Sequence, residues 1–180
     1  MSIIDFLGLF GPRTAQAGTA PPGPEADTIR RIVASLERLE PARARKIAAF
    51  AFILSRAAQA DMKISKEETC EMERLVVSWG NLPEEQAVLV VEIAKCQNTL
   101  FGGTDNFIVT REFGRNATRE EKVELLHCLF AVSAADDSIS VTEENTVSQI
   151  AKELGFTQRE FVEIRSFYRE KRAVMKDLPR

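Results

Sequence analysis

Two short acidic turns carry the residues whose types and spacing could hold a cation. Asp61 is followed by Glu68, and Asp136 is followed by Glu143 at the same separation along the chain. Carboxylate oxygens are the protein ligands that Ca²⁺ and Mg²⁺ prefer, and backbone carbonyls and water can complete such a site. The spacing therefore predicts a short metal loop in each turn, with Ca²⁺ or Mg²⁺ as the cofactor.

Neither turn has the pattern of an EF-hand loop. That loop places oxygen ligands at its first, third and fifth positions, Gly at its sixth and Glu at its twelfth. Counted from the first aspartate, the sixth and twelfth positions hold Lys66 and Met72, and in the second turn they hold Val141 and Val147. Any cation would therefore be bound by a shorter Asp-to-Glu loop.

The second turn is the stronger metal candidate of the two. Asp137, Ser138 and Glu144 add oxygen ligands to it, whereas Lys63 places a positive charge inside the first turn. Because like charges repel, Lys63 weakens the attraction of the first turn for a cation. We therefore expect cation binding at the second turn in preference to the first.

Helix capping is the competing explanation for part of each turn. Ser65 with Glu68, and Ser140 with Glu143, have the spacing of a capping box, in which each side chain accepts the backbone N–H of the other residue. Capping leaves the two aspartates unexplained, because a carboxylate at the C-terminal end of a helix faces the negative end of the helix dipole. An Asx-type turn, a basic neighbour or a bound cation could offset that penalty.

The elements that position these turns are predicted to be helices. Apolar residues recur at helical spacing through most of the chain, and no alternating pattern of useful length competes. Helix start signals stand at Asp27, Pro41, Pro83, Thr118, Ser140 and Thr157. Gly80 and Gly155 are predicted to end helices in the left-handed conformation. The pattern indicates an all-α protein, a compact bundle of about seven or eight helices.

A repeat with an offset of 75 residues relates 50–82 to 125–157 without a gap. The acidic turns, the Ile-Ser pairs and the terminal glycines of the two copies fall on each other. Each copy contains one helix that is apolar on all sides and that it cannot bury alone. We therefore predict two halves related by a pseudo-two-fold axis, with 47–60 and 122–135 in contact at the centre.

The chain divides into four parts by composition. Residues 1–10 form a short apolar leader, and 11–26, rich in Pro, Gly, Ala and Thr, form a flexible linker. The helical domain is predicted over 27–172, with a C-terminal tail at 173–180. As a helix the leader would be almost wholly apolar, so it could dock on its own bundle, on a partner or at a membrane interface. A protein surface is favoured, because the leader has no Lys or Arg to attract anionic lipid.

Charge and hydropathy exclude two classes of partner. The net charge of −3 and the pI near 5.4 argue against nucleic acid, which requires a basic surface. The longest apolar run after the leader, 47–54, is too short to span a bilayer, so no transmembrane segment is expected.

Three separated cysteines and a single histidine do not make a zinc site. Cys70, Cys96 and Cys128 are expected to be small buried thiols in a reducing compartment.

No catalytic residue is predicted. His127 lies in the most apolar helix and is interpreted as a core histidine, because no Ser, Cys or Asp stands at helical spacing to work with it. His127 and Cys128 are adjacent and point in different directions on a helix, so they cannot form a dyad. The remaining enzymatic interpretation is a metal-dependent hydrolase built from both acidic turns, which would require the turns to converge.

The doubled motif resembles the TerB (tellurite resistance protein B) family. A buried helix ends in Ala-Asp and is followed by x-x-Ile-Ser-x-x-Glu, twice in one helical chain, at Asp61 and at Asp136. The stretches "VVEIAKCQNTLFGGTDNFIVTREF" and "LFAVSAADDSIS" are similar to the stand-alone bacterial branch. The domain is also similar to the N-terminal region of membrane-anchored DnaJ-type co-chaperones. The turns depart from the family in one respect, because Met62 and Asp137 stand where a Gly often follows the aspartate.

The resemblance implies a non-enzymatic helical module of the bacterial stress response. It also implies divalent-cation binding at Asp61, Glu68, Asp136 and Glu143, and action through a protein partner. The expected location is the cytoplasm or the periphery of the inner membrane. A metal-free helical scaffold and a co-chaperone-like adaptor remain the alternatives.

Overall fold

The structure, a computed structural model, describes residues 24–57, 66–96, 106–135 and 139–169. Within these ranges the chain forms helices and no β-strand. In chain order they are α1 (Pro24–Glu37), α2 (Pro41–Ala57), α3 (Lys66–Gly80), α4 (Glu84–Lys95), α5 (Asn106–Asn116), α6 (Arg119–Ser133), α7 (Val141–Glu153) and α8 (Gln158–Ser166). The predicted all-α fold is confirmed. None of these helices is long and apolar enough to cross a membrane.

The centre of the bundle is formed by α2 and α6. Every residue of 47–54 is at most 5% exposed, and α6 buries a continuous run over 128–133. α2 packs against α1, α4, α5, α6 and α7, whereas α6 packs against α2, α3, α7 and α8. The predicted contact between the two apolar helices is therefore confirmed for 47–57 and 122–135. The pseudo-two-fold relation between the two halves stays a prediction.

A buried ion pair lies at the C-terminal end of α2. Arg56 Nη1 donates to Glu153 Oε2 over 2.8 Å, and both side chains are less than one tenth exposed. Arg56 Nη1 also donates to Thr110 Oγ1 over 2.6 Å. Burial raises the pKa of Glu153, but hydrogen bonding and the charge of Arg56 outweigh it and hold the pKa below its usual value. The pair thus joins α2, α5 and α7 at one point.

The first helix begins earlier than the sequence pattern indicates. α1 begins at Pro24, not at Asp27, so the last three residues assigned to the linker are helical. Proline suits the first turn of a helix because its missing N–H would have no intrahelical partner there. The carboxylate of Asp27 accepts from Arg30 over 2.8 Å within the same helix. Ile32 and Leu36 are fully buried, so α1 is an integral part of the bundle.

The two predicted glycine caps have different outcomes. Gly155 has a φ of 85° and is followed by the paired hydrogen bonds of a Schellman motif, from Phe156 N to Ala151 O and from Gly155 N to Lys152 O. The prediction for Gly80 is wrong. Gly80 is the last residue of α3, and Asn81 takes the left-handed conformation instead, with a φ of 50°.

A close approach accounts for glycine at position 80. A Cβ on Gly80 would lie 3.0 Å from Cζ of Phe50 on α2, tighter than ordinary van der Waals contact. At Gly155, by contrast, a Cβ would meet no atom within 4 Å, so the constraint there is the backbone conformation alone. Packing therefore favours glycine at position 80, and the backbone conformation favours glycine at position 155.

Substitutions at the two glycines should separate these constraints. Gly155→Ala should destabilise the fold by about 1 kcal/mol, and Gly155→Asn by less, because Asn tolerates the left-handed region. Gly80→Ala should destabilise the fold in the native background and cost less when combined with Phe50→Leu, which removes the ring that the methyl group would strike. Urea denaturation measures each free energy of unfolding. Equal costs for Ala and Asn at 155, or an unchanged cost of Gly80→Ala in the Phe50→Leu background, would contradict these assignments.

Candidate functional site

The second acidic turn enters α7 through a complete capping box. Ser140 Oγ accepts the Glu143 N–H over 3.2 Å, and Glu143 Oε2 accepts the Ser140 N–H over 2.8 Å. Ile139, just before the cap, is 1% exposed and anchors the turn in the core. The capping interpretation of Ser140 and Glu143 is therefore confirmed. One oxygen of Glu143 serves the cap, and Oε1 has no hydrogen-bond partner within the described ranges.

The neighbouring carboxylate has a structural partner. Glu144 Oε1 accepts from Arg165 Nη1 over 2.9 Å, and this half-buried pair joins α7 to α8. Glu144 is thereby less suited to be a metal ligand than its sequence position indicates. Glu143 remains as the carboxylate of the second turn that could face a cation.

The other predicted ligands cannot be placed. Asp61 and Asp136 lie outside the described residues, and Glu68 is described only as part of the α3 backbone. In the parts of the chain that the structure describes, no three His, Cys, Asp or Glu side chains lie close enough together to hold a metal ion. The metal loops at the two acidic turns stay predictions.

A second feature, which we call the aromatic surface, consists of Trp79, His127, Phe167 and Tyr168. Trp79 comes from the C-terminal end of α3, His127 from α6, and the other two from the turn after α8. The chain contains one Trp, one His and one Tyr, and all three meet here. Trp79 stacks on the imidazole with ring centroids 5.7 Å apart, and Phe167 meets it edge-on at 5.6 Å.

Hydrogen bonds fix the imidazole at the base of this surface. Tyr168 Oη donates to the backbone carbonyl of His127 over 3.0 Å, and its oxygen lies 3.2 Å from His127 Nδ1. Because the tyrosine proton is used on the carbonyl, Nδ1–H must donate to Oη, which leaves Nε2 as the acceptor nitrogen. Burial lowers the pKa of His127, which favours the neutral form of the ring. Tyr168 in turn stacks on Phe130 at 5.1 Å, which ties the surface to the core.

The outer rings of the aromatic surface are exposed to solvent. Phe167 is 77% exposed and Trp79 is 45% exposed. His127 is half-buried, so the expectation of a core histidine is only partly correct. The sequence contained one signal for the exposed ring. The buried stripe of α8 and the turn after it consists of Phe161, Ile164 and Tyr168. Phe167 does not share the helical spacing of that stripe, which indicates an exposed side chain.

The thiols offer no nucleophile beside the imidazole. Burial raises the pKa of Cys128 to about 12, so this thiol stays protonated. The expectation of three buried thiols is correct for Cys128 alone, because Cys96 is half-buried and Cys70 is exposed. Cys70 lies on the outer side of α3, where its side chain does not contribute to the core.

Comparison with known protein families identifies the family of this chain. The family model of tellurite resistance protein TerB matches residues 46–166. The chain belongs to the TerB family. No curated protein and no solved structure gives a significant match. The TerB match includes both acidic turns, Trp79 and His127, whereas α1 and Phe167 lie outside it. The similarity to DnaJ-type co-chaperones stays a prediction.

Thermal melting can test the predicted TerB cation sites. A ligand that binds only the folded state adds about 2.7 kcal/mol at a hundredfold excess over its Kd. Millimolar Ca²⁺ or Mg²⁺ should therefore raise the Tm above its value in chelator. Asp136→Asn should abolish most of this rise, and the matched variant Asp61→Asn should retain most of it. Equal Tm values with cation and with chelator would exclude the sites.

Proposed function

We propose that this TerB chain is a non-enzymatic module of the stress response that acts by binding a protein through its aromatic surface. The exposure of Phe167 and Trp79 on a well-packed bundle carries this proposal. Large exposed aromatic rings are enriched at the centres of protein interfaces, where covering them releases water. Phe167 alone is 77% exposed, and covering it would favour association.

The rings of the aromatic surface pack on one another, which also supports a binding role. Trp79 and Phe167 both lean on the imidazole of His127, which Tyr168 holds through two hydrogen-bonding contacts. Preorganised side chains lose little conformational entropy on binding. An apolar or aromatic segment of a partner protein has the chemistry that this surface complements.

The neighbourhood of His127 favours binding over catalysis. Its Nδ1 is occupied by Tyr168, and the adjacent Cys128 has a thiol pKa of about 12. A neutral imidazole stacked under Trp79 has no activated nucleophile next to it within the described residues. The arrangement is that of a packing platform.

A cation at the second acidic turn belongs to the same proposal. Glu143 keeps one oxygen outside its capping box, and Asp136 precedes it in the turn. Ser133 lies three positions before Asp136, and its Oγ is buried without a hydrogen-bond partner in the described residues. Such hydroxyls usually bond to protein, water or an ion. A metal-free scaffold or co-chaperone-like adaptor would use the same surface without the cation.

Substitution of Phe167 tests the surface in cells. Phe167→Ser should lower tellurite tolerance in a bacterium that depends on this chain, while its Tm changes little because the ring is exposed. Phe107→Ser is the matched control, since that ring is 46% exposed and stands on α5, a helix that contributes no residue to the aromatic surface. Chemical crosslinking should show a partner adduct lost with Phe167→Ser and kept with Phe107→Ser. Equal tolerance for both variants and the native chain would overturn the proposal.

The single tryptophan can show whether the leader covers this surface. If residues 1–10 dock on it, deletion of residues 1–20 should shift Trp79 emission to the red and increase its quenching by iodide, because the indole gains contact with water. Phe167→Ser in the full chain should weaken docking and reproduce part of the shift. Identical emission and quenching with and without the leader would show that it docks elsewhere or not at all.

A further inference from the structure

A cleft with a volume of about 190 Å³ opens between α2, the α3–α4 turn, α5 and α6. It is lined by different residues from those of the aromatic surface and of the acidic turns. Its floor is apolar and includes Ile47, Phe50, Leu82 and Phe113. Phe50 and Phe113 meet edge to face with centroids 6.2 Å apart, which gives the floor a fixed shape.

One charged pair on the rim of the cleft is already satisfied. Lys46 Nζ lies 2.7 Å and 2.9 Å from the two carboxylate oxygens of Glu121. Glu121 Oε2 also accepts the Thr118 N–H over 2.8 Å, within the capping box of α6. Burial raises the pKa of Glu121, but Lys46, the Thr118 N–H and the charge of Arg43 outweigh it and lower the pKa. This pair therefore offers little to a ligand.

Two further charged residues on the rim form hydrogen bonds only with neutral side chains. Arg43 Nε donates to the amide oxygen of Gln86 over 3.0 Å, and Glu124 Oε1 accepts from Asn81 Nδ2 over 2.9 Å. Within the described ranges, Arg43 Nη1 and Glu124 Oε2 have no hydrogen-bond partner, and neither residue forms an ion pair. One cation and one anion thus remain available at the same cleft.

The wall between these charges is held in place by the backbone. Asn81 adopts the left-handed conformation, which is uncommon for a residue with a side chain, and in it donates to Glu124. Gly80 allows the chain to pass close to Phe50, because a Cβ there would be 3.0 Å from the ring. Asn81 in this turn thus holds one oxygen of Glu124 at the edge of the cleft.

The volume limits the size of the ligand. A cavity of about 150 Å³ is sufficient for benzene, whereas pockets for drug-sized ligands span about 300–1,000 Å³. At about 190 Å³ the cleft has room for one amino acid and not for a nucleotide. A ligand that complements it has an anionic group, a cationic group and a compact apolar body.

We propose that this cleft binds a free aliphatic amino acid. Its carboxylate pairs with Arg43, its ammonium group pairs with Glu124, and its side chain lies on the apolar floor. A peptide end carries only one of the two charges at its terminal residue, so the pair of rim charges favours the free zwitterion. This site does not depend on the proposed partner-binding function.

Calorimetric or NMR titration of the full chain with L-leucine tests the site. Saturable binding with a Kd of about 1 mM or tighter is expected for a ligand of this size. N-acetyl-leucine lacks the ammonium group and leucinamide lacks the carboxylate, so each should bind about tenfold more weakly. Absence of saturable leucine binding would overturn the proposal. Binding of N-acetyl-leucine as tight as that of leucine would overturn it as well, in favour of a peptide C-terminus.

Charge-neutralising variants assign the two ends of the ligand. Arg43→Gln should abolish the preference for leucine over leucinamide, and Glu124→Gln should abolish the preference for leucine over N-acetyl-leucine. Arg45→Gln and Glu120→Gln are matched controls on the same helices, outside the cleft lining, and should keep both preferences. Circular dichroism melting checks that each variant is folded. Retention of both preferences in folded Arg43→Gln and Glu124→Gln would overturn the assignment, and the analogue comparison on the native chain remains decisive if a variant does not fold.

Discussion

The fold depends on enclosing α2, a helix that is apolar on every side. Residues 47–54 have no solvent-facing stripe, so a single packed partner would leave much of this surface in water. Burying one large aliphatic or aromatic side chain contributes about 1.5–3 kcal/mol, which is enough to recruit helices from both halves of the chain. α1, α4, α5, α6 and α7 all pack on α2 for this reason.

Arg56, near the end of α2, determines which helix packs against that end. Arg56 cannot be buried without a partner, and Glu153 supplies the carboxylate from α7. Removing one partner of a buried ion pair typically costs about 3–5 kcal/mol, because the other charge is left without compensation. The pair therefore fixes α7 relative to α2. Since Glu143 stands in the first turn of α7, the same contact also helps to position Glu143.

Local chemistry was predictable from the sequence, and contacts between distant residues were not. The capping boxes at Thr118, Ser140 and Thr157 involve residues three positions apart, so their spacing alone identifies them. Gly80 was misinterpreted because its constraint comes from Phe50, on another helix. The cleft was missed for the same reason: Arg43 and Glu124 stand far apart in sequence, and only packing brings them to one opening. The metal ligands remain expectations because Asp61 and Asp136 lie outside the described residues.

The two copies of the repeat carry different residues at two positions of the aromatic surface. By the offset of 75, His127 corresponds to Phe52, which is fully buried, and Trp79 corresponds to Leu154, which is 4% exposed. Phe52 and Leu154 are therefore the apolar residues that core packing favours at these two positions. A half-buried imidazole and a half-exposed indole are poorer choices for the core, yet they stack on each other. The bundle tolerates both because apolar residues from all eight described helices fill the core. Stability thus rests on the apolar core, to which the exposed rings of Trp79 and Phe167 contribute little.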